Sequence, residues 1–175
     1  RQSCKTPEAS NVVYFTLGRG SNHLSPRFFS HVIASAKLNS IAPIGNETQL
    51  VFCRGDVNPY VVSKLLELAP SEALHVGDPA EHNNGHRYIS HLGLWKLSLP
   101  GATPDHTVEE QLALWLQLLQ PKSAAFRELR EIGYRPYIDC KAASGSLSLC
   151  IDPEILVAIG ELNISLSVWL YEQTS

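Results

Sequence analysis

The sequence predicts an α+β fold: a mainly antiparallel sheet with helices packed on one face, in a ferredoxin-like arrangement of strand–helix–strand units, with an extra N-terminal strand–helix unit. Three observations carry that prediction. A helix-start phrase (apolar, Ser/Asn/Asp, Pro, any residue, two apolars) occurs as Leu24-Ser25-Pro26-Arg27-Phe28-Phe29, Val57-Asn58-Pro59-Tyr60-Val61-Val62 and Ile151-Asp152-Pro153-Glu154-Ile155-Leu156. Each copy follows a strand-like run. The polar side chain caps exposed N–H groups, and proline has no N–H to leave unsatisfied. The apolar residue before the cap staples onto the fourth helical position. Second, residues 164–172 alternate, with Ile164, Leu166, Val168 and Leu170 on one face and Ser165, Ser167, Trp169 and Tyr171 on the other. Third, a capping box, Thr107-Val108-Glu109-Glu110, opens the longest helical pattern.

In chain order, residues 11–17 read as a strand, Gly18-Arg19-Gly20 as a breaker, and 26–37 as a helix with Phe28, Phe29, Val32 and Ile33 on it. A loop over 39–48 leads to a strand over 49–53 and a helix over 59–68. Residues 70–85 are rich in Pro, Gly and His and read as loop, and 87–99 as strand interrupted near Gly93. The long helix places Leu112, Trp115, Leu116 and Leu119 on one face, breaks at Pro121, resumes through Phe126, Leu129 and Ile132, and stops at Gly133. Residues 134–141 and 146–150 read as a hairpin around Ala143-Ser144-Gly145. A helix over 153–162 and the alternating strand follow. Half-polar strands argue for an antiparallel sheet. One domain is expected over 1–175, with 1–45 as the N-terminal extension and 46–175 as the core. The first two cap phrases stand 33 positions apart, which hints at an internal repeat.

Residues 49–172 resemble the bacterial domain-of-unknown-function family 4279. The matching phrases are Leu50-Val51-Phe52, Gly77-Asp78-Pro79, Gly93-Leu94-Trp95, Leu119-Gln120-Pro121-Lys122, Gly133-Tyr134-Arg135 and the Asp152 cap phrase with the strand after it. The resemblance implies a small α+β domain and supplies no activity and no site residues.

A net charge of −3 gives no electrostatic footprint for nucleic acid or an anionic membrane. No apolar run approaches transmembrane length. The chain opens on Arg1 and contains no methionine, which predicts a trimmed start or one lying upstream. Cys4, Cys53, Cys140 and Cys150 show no C-x-x-C spacing, so a zinc ribbon is not expected; a reducing cytoplasm without disulfides is.

Chemistry-bearing residues fall into three groups. His75, Asp78, His82 and His86 are metal-ligand types in a short span, candidates for zinc or another divalent cation. The spacing of His82 and His86 suits one helical face, but Asn83-Asn84-Gly85 disfavours a helix, and the Glu of H-E-x-x-H is missing. A solvated polar loop is the plainer reading. Arg54-Gly55-Asp56 lies between a strand and a capped helix and reads foremost as a turn, with Arg54 and Asp56 as candidates for an anion or polar group. On the sheet, Arg135, Tyr137, Lys141, Trp169 and Tyr171 set aromatics beside charges, a composition enriched in interfaces. The N-terminal unit is the alternative cover for that face. No nucleophile elbow and no phosphate loop occurs. The expectation is a non-enzymatic binding module for a protein partner or small ligand, compatible with a homo-oligomer and without a resident cofactor. The alternative is a metal-dependent hydrolytic enzyme using residues 75–91.

Overall fold

The computed structural model describes residues 45–172 except 82–84, 104 and 145–149. The predicted strand over 11–17, the Ser25 cap and the helix over 26–37 lie outside the described residues, as do His82 and most of the strand predicted over 146–150. The chain runs β1 (Glu47–Arg54), α1 (Pro59–Leu66), β2 (Glu72–Leu74), β3 (Pro79–Glu81), β4 (Arg87–Ile89), β5 (Gly93–Ser98) and α2 (Val108–Leu119). A 3-10 turn (Gln120–Lys122), α3 (Ser123–Glu131), β6 (Tyr137–Ser144), α4 (Pro153–Glu161) and β7 (Ser165–Glu172) complete it.

The helix starts form as their side chains dictate. Asn58 Oδ1 accepts the Tyr60 N–H at 3.0 Å, and Asp152 Oδ1 accepts the Glu154 N–H at 2.7 Å. Thr107 Oγ1 accepts the Glu110 N–H at 3.2 Å while the Glu110 carboxylate accepts the Thr107 N–H at 2.7 Å, closing the capping box. Pro121 falls in the 3-10 turn that splits α2 from α3. Gly133, at φ 96°, ends the second half as a residue without Cβ can.

The sheet is mixed, in the order β2-β5-β1-β6-β7, and β3 and β4 form a separate pair. β1 pairs antiparallel with β5 and β6, and β2 with β5. β6 and β7 pair in parallel, contrary to the antiparallel expectation, because α4 returns the chain to its starting end between them. Nor does β6 turn at 143–144 as the expected hairpin requires: it runs through Ser144, whose ladder partner is Glu172. The segment 70–85 contains two strands. Their ladder partners, Lys96 for Glu72 and Ile89 for Pro79, are too remote to show in a local pattern.

The four described helices pack on one sheet face. Leu50, Phe52, Trp95, Ile138, Cys140, Leu166 and Val168 meet Val62, Leu66, Leu112, Trp115, Phe126, Leu129 and Ile159 in one core. Each fully buried large apolar side chain contributes about 1.5–3 kcal/mol. Phe52 lies edge-on to Trp95 at 5.6 Å and stacks on Phe126 at 6.5 Å. Among the described residues, Val51 alone is buried and apolar yet outside that core. No described helix is long and apolar enough to cross a membrane.

Candidate binding face

Strand alternation sends every second residue to the side away from the helices. Register then sets those residues in rows. Val51 of β1 faces Lys96 of β5 and Tyr137 of β6; Gln49 faces Ser98 and Asp139; Glu47 faces Lys141. Ser165, Ser167 and Trp169 of β7 face Tyr137, Asp139 and Lys141. At the other side, Glu72 faces Lys96 and Leu74 faces Leu94. The face therefore joins an apolar row, Val51 with Cys53, Leu94 and Leu74, to a polar grid with two rings.

The grid is closely bonded. The Trp169 indole donates to the Asp139 carboxylate at 2.7 Å. Lys141 Nζ pairs with Glu47 at 3.2 Å, and Lys96 pairs with Glu72. Gln49 Nε2 donates to Glu47 at 2.6 Å and to the Ser98 hydroxyl at 3.4 Å. These contacts tie Trp169, Lys141, Lys96 and Gln49 to neighbouring strands across the face. Burial, then the Asp139 charge and then Cys53 push the Tyr137 phenol up to about 12, so it stays a protonated donor at neutral pH. Burial also raises the Cys53 thiol, the opposite of what an activated nucleophile requires. Cys140, in the core, is pushed up to about 12 by burial and then by Asp139.

The sequence candidates divide between this face and a second place. Tyr137, Lys141 and Trp169 come together on the face, and Tyr171 lies in β7 beyond Trp169. Arg54 falls on the helix-side parity at the far end of β1, about 20 Å along the strand from Glu47. It pairs with Asp56 at 3.4 Å and donates to the Gly133 carbonyl at 3.0 Å, both side chains being exposed. Arg135 precedes β6 and turns back onto the end of α3, donating to the Arg130 and Tyr134 carbonyls at 2.9 and 3.0 Å. The residue that organises this end is Tyr134, whose hydroxyl donates to the Asp56 carbonyl and accepts the Asn58 N–H, each at 3.0 Å. It ties the turn before α1 to the end of α3.

In the histidine-rich segment, His75 and His86 are exposed, and the Asp78 carboxylate accepts the His75 backbone N–H at 2.7 Å. The Asp78 N–H donates in return to the His75 carbonyl at 3.1 Å, so the pair closes a turn and gives Asp78 a local structural role. Among the described residues, no three His, Cys, Asp or Glu side chains are grouped to hold a metal ion. His82 lies outside them.

Val51, Leu74, Leu94, Glu47 and Asp139 complete the face and were not singled out by sequence reasoning. Four of them come from strands whose neighbours are set by non-local pairing. Asp139 was legible, since it alternates with Tyr137 and Lys141.

A family model described as Domain of unknown function (DUF4279) matches residues 46–173. No curated protein and no solved structure matches the chain.

Proposed function

Because the chain belongs to the DUF4279 family, whose matched span encloses the whole described sheet, its role has to be read from its surface, and we propose that it is a non-enzymatic binding module. It engages a protein partner or small ligand through the sheet face opposite the helices. The observation that supports this most is the Trp169–Asp139 pair, a ring tied by a 2.7 Å hydrogen bond in the row of Lys141 and Glu47, on the same sheet face as Tyr137 and Val51. Rigid aromatics next to satisfied polar groups bind at low entropic cost. The thiols of Cys53, Cys140 and Cys150 are free, which supports placement in a reducing cytoplasm.

A ferredoxin-like reading of the fold is supported by the strand order. β5 lies between β1 and β2, β6 lies on the other side of β1, and helices connect β1 to β2 and β5 to β6. α4 and β7 then extend that unit by one parallel strand.

The test uses the immobilised full chain in host extract. A retained partner or ligand is expected to be weakened roughly tenfold, about 1.4 kcal/mol, by Trp169→Ala and by Lys141→Glu. Arg54→Ala, at the strand end, is expected to leave retention unchanged. Retention indifferent to both face substitutions sinks the reading.

A further inference from the structure

The two edges of the sheet are built differently. β7 (Ser165–Glu172) is eight residues long and stands at one end of the order β2-β5-β1-β6-β7. Among the described residues, β6 is its one ladder neighbour. β2, at the other end, is three residues long and ties Glu72 to Lys96. A short, charged edge resists pairing with another chain, whereas a long, uncharged one is a template for it. From Leu162 to Tyr171 the sequence has no charged residue, no proline and no glycine.

Main-chain geometry fixes which groups the β7 edge presents. The Ser165 N–H donates to the Pro136 carbonyl at 3.1 Å, so Ser165 turns its main-chain groups toward β6. Alternation turns those of Ser167 and Trp169 the same way, and those of Leu166, Val168 and Leu170 outward. The side chains of Leu166 and Val168 are buried in the core. What these residues bring to the edge is an N–H and a C=O each.

That edge is complementary to itself. A two-fold axis through Val168 sets Val168 opposite its own copy as a hydrogen-bonded pair and position 166 opposite 170, giving about six main-chain hydrogen bonds. In the alternate positions Ser167 falls opposite Trp169 and Ser165 opposite Tyr171, a small residue against an aromatic one each time. An axis through Trp169 instead sets indole against indole at the closest spacing, about 4.5 Å between Cα atoms. Pairing Val168 with Val168 also matches parity, so apolar positions meet apolar ones and the helices of both copies lie on one side of a continuous sheet.

We infer that β7 pairs antiparallel with β7 of a second copy of this chain about a two-fold axis at Val168. This pairing uses the strand edge and stands whether or not the sheet face binds a partner.

The test is cross-linking of the full chain with Cys4, Cys53 and Cys150 replaced by Ser. One preparation carries Ser167→Cys and another Trp169→Cys. Mixed and then mildly oxidised, they are expected to form a covalent dimer on a non-reducing gel, because the register sets 167 opposite 169 at about 4.5 Å between Cα atoms. Each preparation alone is expected to stay uncross-linked, since like positions then stand two residues out of register, about 8 Å apart. Sedimentation of the unsubstituted chain is expected to give twice the mass of one chain. Ser165→Lys with Ser167→Lys, which leaves the core untouched, is expected to weaken the dimer at least about tenfold. Circular dichroism checks that every variant is folded. A single-chain mass at all concentrations overturns the pairing. So does a dimer that survives the lysines without cross-linking in the mixture, which places the contact elsewhere. Cross-linking by Trp169→Cys alone overturns the axis at Val168. None of these readouts needs a bound partner, so failure here and failure of the retention experiment are told apart.

Discussion

Gly93 meets the main chain of Val57 so closely that a Cβ on it would stand 1.8 Å from the Val57 carbonyl oxygen. The first residue of β5 crosses there beneath the turn that feeds α1. Backbone cannot give way as a flexible side chain can. Gly93→Ala is therefore expected to destabilise the fold by about 3 kcal/mol or more. Chemical denaturation checks this, and a loss under about 1 kcal/mol contradicts the contact.

A buried polar chain ties α2 to β1. Trp115 Nε1 donates to the Thr48 hydroxyl at 2.9 Å, and that hydroxyl donates to Gln111 Oε1 at 2.8 Å. Gln111 Nε2 continues to the Asn46 carbonyl at 3.0 Å. Thr48→Val keeps the shape and orphans an indole N–H and an amide oxygen. The expected cost is about 2–4 kcal/mol, since each buried unsatisfied group costs about 1–3 kcal/mol. Thr48→Ser, which keeps the hydroxyl, is expected to recover most of it.

Alkaline pH weakens the fold through two protons. The Cys140 thiol moves from 9.0 to about 12 and the Tyr137 phenol from 10.0 to about 12, burial being the larger cause in each. Both hold their proton longer in the folded chain than in the unfolded one. Their contribution is complete below pH 9 and is lost between pH 9 and about 12. A full proton of difference gives a slope of about 1.4 kcal/mol per pH unit. Cys140→Ala removes the earlier part of that slope. Asp139→Asn lowers the Tyr137 midpoint, read as tyrosinate absorbance, but leaves it above 10.0 because burial persists.

The capping box predicts a milder effect. Thr107→Ala removes the acceptor for the Glu110 N–H, at an expected cost of about 1 kcal/mol. Glu110 is held below the usual carboxylate range, first by its hydrogen bond from the Thr107 backbone and then by the Thr107 side chain. The stabilisation is present above the unfolded value of 4.5 and fades as pH falls through the folded one. A carboxyl-detected titration is expected to show Glu110 moving partway back in the variant. The backbone bond from Thr107 remains and keeps it from returning fully.

Local chemistry was readable in the residues themselves. The Asn58, Thr107 and Asp152 caps, the break at Pro121 and the stop at Gly133 each act within a few positions, so a short phrase contains the whole cause. Pairing between strands was not readable, because ladder partners lie far apart. The parallel union of β6 and β7 depends on the path of α4, and β2 and β3 exist only through partners in 87–96. The site followed the same division. Alternation assigned Tyr137, Lys141 and Trp169 to one surface, whereas Leu94 and Val51 joined it by register alone. Arg54 and Asp56 pair in the turn between β1 and α1, as their position between strand and cap suggests, and lie apart from that surface, while Arg135 precedes β6 and turns back onto α3.

β1 occupies the middle of the sheet although it is the first described strand. Its ladders close at Gly93–Ser98 and Tyr137–Lys141, roughly 40 and 90 positions downstream. During synthesis, the run Leu50-Val51-Phe52-Cys53 leaves the ribosome long before either partner exists. Contacts of that separation place folding in the millisecond-to-second range, and an apolar strand with two open edges is a template for wrong pairing meanwhile. Whatever shields those edges in the nascent chain governs how much of it reaches the native state.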